Sequence, residues 1–83
     1  MLHLYTLFDE VDINTMVSKL KEELVEVIQE IEVDKVNKDL LAGELLDLIQ
    51  CAYGIAYKNN IDLKDYIQTH NNKLKSRGLI VKD

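Results

Sequence analysis

The sequence predicts an all-α fold, and three observations carry that expectation. There is no proline in 83 residues, so nothing forces a break in a long helix. With 47% hydrophobic and 30% charged residues, the chain is too apolar for intrinsic disorder. Its apolar residues also recur at helical spacing over long stretches, without the frequent turn signals of a sandwich or barrel. A chain of 9.6 kDa can close only one core, so residues 1–83 are expected to form a single domain.

The opening residues, 1–13, are the least determined. Leu2, Leu4, Thr6 and Phe8 alternate as in a strand, whereas Leu4, Leu7, Phe8 and Val11 fit a helix, and the helix is favoured. A first long helix is expected over about residues 14–31, where Met16, Leu20, Leu24, Val27, Ile28 and Ile31 share one sector, with Asp12 or Asn14 as N-cap. Residues 32–37 are polar apart from two valines and form the turn. A second helix begins near Asn37 or Lys38 and runs to about Lys58, ended by Asn59 and Asn60. Leucines, isoleucines, Tyr53 and Tyr57 cover most of its circumference, so it must be covered from several sides. A third helix starts with Asp62 as N-cap, carries Leu63, Tyr66, Ile67, His70 and Leu74 on one stripe, and stops at Gly78. His70 is expected in the core or at an interface. An apolar tail occupies residues 79–83.

Three helices around an apolar middle one leave surface uncovered, and a lone core of this size supplies only roughly 3–5 kcal/mol. A homodimer or homotetramer is therefore expected, its shared core resembling a four-helix bundle. Ten basic against fifteen acidic residues give a formal charge of -5, which argues against nucleic-acid binding through phosphate neutralisation. The lone Cys51 forms no internal disulfide and reads as an inert thiol in an apolar helix. The acidic, non-basic start and the lack of a membrane-spanning apolar run point to a cytoplasmic protein with no membrane partner.

Chemistry is concentrated in the acids. Glu22, Glu23 and Glu26 lie on the first helix, and Glu44 and Asp47 on the second. Glu23 sits at the edge of the first apolar stripe, and Glu44 falls inside the apolar sector of its helix between Cys51 and Ile55. In an antiparallel hairpin, residues at equal height share a constant sum of residue numbers. Glu23 with Asp47 and Glu26 with Glu44 have the same sum, centred on Lys35 in the expected turn. Residues three apart share a helical face, so the four carboxylates should meet. Two carboxylates about 5 Å apart repel by roughly 3 kcal/mol at an effective dielectric near 20. A divalent cation reverses that sign, and hard oxygen ligands suit Mg²⁺ or Mn²⁺.

The run E-E-x-x-E followed by E-x-x-D resembles the metal-binding signature of the MazG-type all-α nucleoside triphosphate pyrophosphohydrolases, which include dimeric dUTPases and phosphoribosyl-ATP pyrophosphohydrolases. Residues 71–77, N-N-K-L-K-S-R, are similar to the N-x-K-[apolar]-x-x-R segment of that superfamily. The resemblance implies cleavage of a nucleoside or deoxynucleoside triphosphate to the monophosphate and pyrophosphate. By position it implies that Glu23, Glu26, Glu44 and Asp47 hold Mg²⁺, that Glu22 and Glu26 act in catalysis, and that Asn71, Lys73 and Arg77 bind substrate. Relatives often carry a base-holding aromatic ahead of the first acidic helix; here only Tyr5 and Phe8 are available. Two alternatives accompany this reading: a phosphoribosyl-ATP pyrophosphohydrolase, and a non-catalytic helical oligomerisation module with a residual metal site.

Overall fold

The computed structural model describes residues 7–82, and among these every element is helical, as the all-α class requires. The order is α1 (Leu7–Glu10), α2 (Ile13–Ile31), α3 (Lys38–Lys58), a 3-10 turn (Leu63–Tyr66) and α4 (Ile67–Ser76). Most of the strand-or-helix segment 2–8 lies outside the described residues, as do the side chains of Tyr5 and Phe8.

Local chemistry sets the helix ends. Asp12 caps α2 by accepting from the Thr15 N–H at 2.7 Å, and that donor holds its carboxyl below the usual range. Asn37 caps α3 by accepting from the N–H groups of Asp39 and Leu40 at 3.1 and 3.2 Å. At the far end of α3, Asn60 adopts a left-handed φ of 58°, and the Ile61 N–H reaches back to the Ala56 carbonyl at 2.9 Å. Asparagine tolerates that conformation, so Asn60 acts where glycine usually does. Gly78, at φ 87°, closes α4 in the same way, with the Leu79 N–H on the Leu74 carbonyl at 3.1 Å.

The continuous third helix expected from Asp62 is broken in two. Asp62 accepts through its side chain from Lys64 N–H at 3.2 Å and through its carbonyl from Asp65 N–H at 3.1 Å. These short-range bonds tighten the first turn to 3-10 geometry before α4 begins. The unit packs chiefly on itself, α4 against the 3-10 turn. His70 is consequently exposed and takes no part in the core of the protomer.

α2 and α3 form an antiparallel hairpin that makes the main tertiary contact of the chain. α1 is fastened to the end of α3, where the Tyr57 hydroxyl donates to the Asp9 carboxylate and Lys58 Nζ donates to the Asp9 carbonyl at 3.1 Å. Met16, Val27, Gly54 and Ala56 are buried between the rods. The apolar stripe of α2 is split, because α3 covers only one side of it. Leu24, Ile28 and Ile31, with Leu40, Leu46 and Ile49 on α3, remain 42–55% exposed.

The chain is accordingly open. Its radius of gyration is 15.2 Å, against about 12 Å for a compact chain of this length. It exposes 7031 Å², where a compact monomer of its mass exposes about 5100 Å². Among the described helices, α3 is long and apolar enough to cross a membrane by length and composition. Glu44 and Asp47 stand near its middle, where bilayer burial is costly.

Candidate metal centre

The hairpin brings three acids into one cluster. Carboxylate oxygens of Glu23, Glu44 and Asp47 all lie within 4.8 Å of one another. Glu23 comes from the inward face of α2 and is only 3% exposed, Glu44 is half-buried, and Asp47 is exposed at the rim. The cluster is thus walled by protein on one side and open on the other. Glu26, half-buried one turn beyond Glu23, was expected as a fourth member; it interacts with Glu44 and Glu23 but lies outside the set of three.

Protonation reflects this crowding. Glu26 is pushed up to about 7, first by its hydrogen bond to Glu44, then by that to Glu23 and by burial. It therefore keeps its proton to a higher pH than an ordinary glutamate does. Glu23 is held below the ordinary range, chiefly by Lys19, against the opposing effect of burial. Lys19 Nζ lies 2.9 Å from Glu23 Oε1 and 3.8 Å from Glu22 Oε2. Even so, Oε2 of Glu23 and Oε2 of Glu44 are buried without a donor. Buried carboxylate oxygens are costly when unpaired.

A cation would meet that demand. Mg²⁺ takes oxygen ligands at about 2.0–2.1 Å and keeps several waters, which suits a donor set closed at Glu23 and open at Asp47. The donors are all carboxylates; Cys51, half-buried alongside, has its thiol raised by burial and by Glu23.

The remaining residues named from sequence lie elsewhere. Glu22 is exposed on the outer side of α2, near Lys19. Asn71, Lys73 and Arg77 are exposed on α4 and at its C-cap, on the unit that packs against the 3-10 turn rather than over the carboxylates. Gly43, one residue before Glu44 on α3, has nothing within 4 Å of where a Cβ would stand, so packing within the chain does not require a glycine there. Lys19 was not singled out by sequence, although its spacing of four from Glu23 was visible. It borders a groove of about 420 Å³ beside the cluster, with Met16 and Glu23 on α2 and Asp47, Cys51 and Gly54 on α3.

A family model described as phosphoribosyl-ATP pyrophosphohydrolase matches residues 3–73. The match spans α2, α3 and every clustered acid, and ends before Arg77. No curated protein and no solved structure matches the chain. Enzymes of the matched family are generally metal-dependent.

Proposed function

The chain belongs to the phosphoribosyl-ATP pyrophosphohydrolase family, and from this premise we propose that it cleaves a nucleoside triphosphate to the monophosphate and pyrophosphate in a Mg²⁺-dependent reaction. Membership makes it a hydrolase acting on acid anhydrides, within the MazG-like all-α superfamily. The substrate and the ion are the finer reading. The observation that carries it is the pair of buried, donorless oxygens on Glu23 and Glu44 inside a carboxylate cluster.

Glu23, Glu44 and Asp47 would hold the ion, with Glu26 completing the set once ionised. Bound there, Mg²⁺ would neutralise phosphate oxygens and lower the pKa of a coordinated water. Glu26, beside Glu23 and Glu44, would accept a proton from water once it is ionised. Exposed Glu22 would relay that proton through solvent. Buried Glu23 keeps water from the inner wall, while Asp47 leaves the outer side accessible. Asn71, Lys73 and Arg77 would grip the substrate, the arginine bidentately on phosphate.

The basic end of α4 reaches a carboxylate cluster most simply from a second copy. Homodimerisation or homotetramerisation through the open faces of α2 and α3 is supported by the large exposed area and by the six half-exposed aliphatic residues named above. A sedimentation mass of two or four chains is expected; a mass of one chain would contradict this assembly. The family is typically cytoplasmic, and we read this member likewise, with no nucleic-acid or membrane partner.

The test is a panel of canonical and modified triphosphates, with phosphoribosyl-ATP among them, assayed with Mg²⁺ for pyrophosphate. Release from at least one member is expected. No product anywhere would favour the non-catalytic module. A second reading, that phosphoribosyl-ATP itself is the substrate, is favoured by the family match; it predicts release from that compound well above release from ATP.

A further inference from the structure

The proposed hydrolysis uses the acids and leaves Lys19 without a role. Its ammonium is 2.9 Å from Glu23 Oε1, on the carboxylate whose other oxygen is buried without a donor. Glu23 therefore has two claimants, the lysine and a divalent cation. Lys19 is also the only basic side chain among the described residues that line the groove beside the cluster. Its own side chain is 55% exposed, and its four-carbon stem can swing without disturbing the core. Glu23 and Asp47 edge the groove on the cluster side, and Thr15, Met16, Gln50 and Cys51 are among its other walls.

We propose that Lys19 is a substrate-binding residue held in reserve: it pairs with Glu23 in the metal-free protein, and turns to the polyphosphate oxygens once a divalent cation occupies that carboxylate. This inference rests on the triphosphate reading above. The charge logic is simple. Before loading, Lys19 partly neutralises a cluster of like charges. After loading, a doubly charged ion does so, the attraction between Lys19 and Glu23 weakens, and a polyanion beside the groove becomes the stronger partner.

A lysine that serves only to brace Glu23 makes the opposite prediction for metal binding. Removing a brace weakens the site, whereas removing a competitor strengthens it. The experiment is calorimetric titration of the metal-free, full-length protein with Mn²⁺, followed by titration of the Mn²⁺-loaded protein with inorganic tripolyphosphate, in wild type, Lys19→Met and Lys19→Arg. Lys19→Met is expected to bind Mn²⁺ several-fold more tightly and tripolyphosphate about tenfold or more weakly, the loss of one charge-assisted hydrogen bond. Lys19→Arg is expected to keep most of the tripolyphosphate affinity. Unchanged or weaker Mn²⁺ binding in Lys19→Met overturns the inference, and so does unchanged tripolyphosphate binding. Neither readout needs turnover, so a wild-type protein that releases no pyrophosphate defeats the hydrolase reading while this test still decides the role of Lys19.

Discussion

Glu44→Gln is expected to lower pyrophosphate release at least about a hundredfold, since even outer-shell changes at metal sites cost 10–100-fold. The metal-free protein should nevertheless be as stable as wild type or more so. Glu44 is half-buried, with one oxygen that no donor reaches, and it crowds Glu23 and Asp47. Glutamine keeps the shape, removes a like charge, and brings an N–H that can donate to the orphaned Oε2 of Glu23. Activity and stability should therefore move in opposite directions, the signature of a group retained for binding at the expense of the apo fold. Glu22→Gln, on the exposed side of α2, should leave stability nearly unchanged. A Glu44→Gln protein that is active and strongly destabilised would refute the assignment.

Between about pH 5 and 8, the metal-free protein is expected to lose stability as pH rises, and Mg²⁺ is expected to cancel that loss. Glu26 is raised to about 7 by Glu44, Glu23 and burial. A carboxyl whose folded pKa lies above its unfolded value contributes stability that is complete below the unfolded pKa and is lost as pH climbs through the folded one. Glu23, lowered mainly by Lys19, acts in the opposite sense and in a more acidic window, where its contribution vanishes as pH falls. The two effects therefore separate. Because a cation needs its ligands ionised, its stabilisation grows across the range in which Glu26 gives up its proton. Melting temperatures at a series of pH values, with and without millimolar Mg²⁺, should diverge steadily above about pH 6. A metal-free melting temperature that stays flat or rises from pH 5 to 8 would count against the cluster.

Much of this was legible in the chain because helical geometry is regular. The height matching of Glu23 with Asp47 and Glu26 with Glu44 needs only a turn centred on Lys35, and residues 32–37 provide it between α2 and α3. The position of Glu44 inside an apolar sector announced a carboxylate with an unusual neighbour. Other features left weaker signals. An aspartate can cap a 3-10 turn as readily as an α-helix, and here Asp62 caps only the turn while α4 starts at Ile67 with no side-chain cap, so the break before Ile67 was hidden. Lys19 looked like any surface lysine four residues before a glutamate; its partner, buried at 3% exposure, makes it different, and burial is a tertiary property. The apolar stripes of α2 and α3 told how much surface is apolar, but not that Leu24, Ile28 and Leu46 would remain open in the folded chain. Periodicity gives the extent of an apolar face but not which part of it the rest of the chain covers.

The central claim is that the hairpin gathers these carboxylates for a divalent ion. Calorimetric titration of the metal-free protein with Mn²⁺ at about pH 6, in two buffers of different ionisation heat, tests it most directly. Saturable binding with proton release is predicted, because Glu26 still carries its proton there and must surrender it, and Glu23→Gln should remove the signal. Heats that never saturate in the millimolar range, or that are the same in Glu23→Gln, would contradict it.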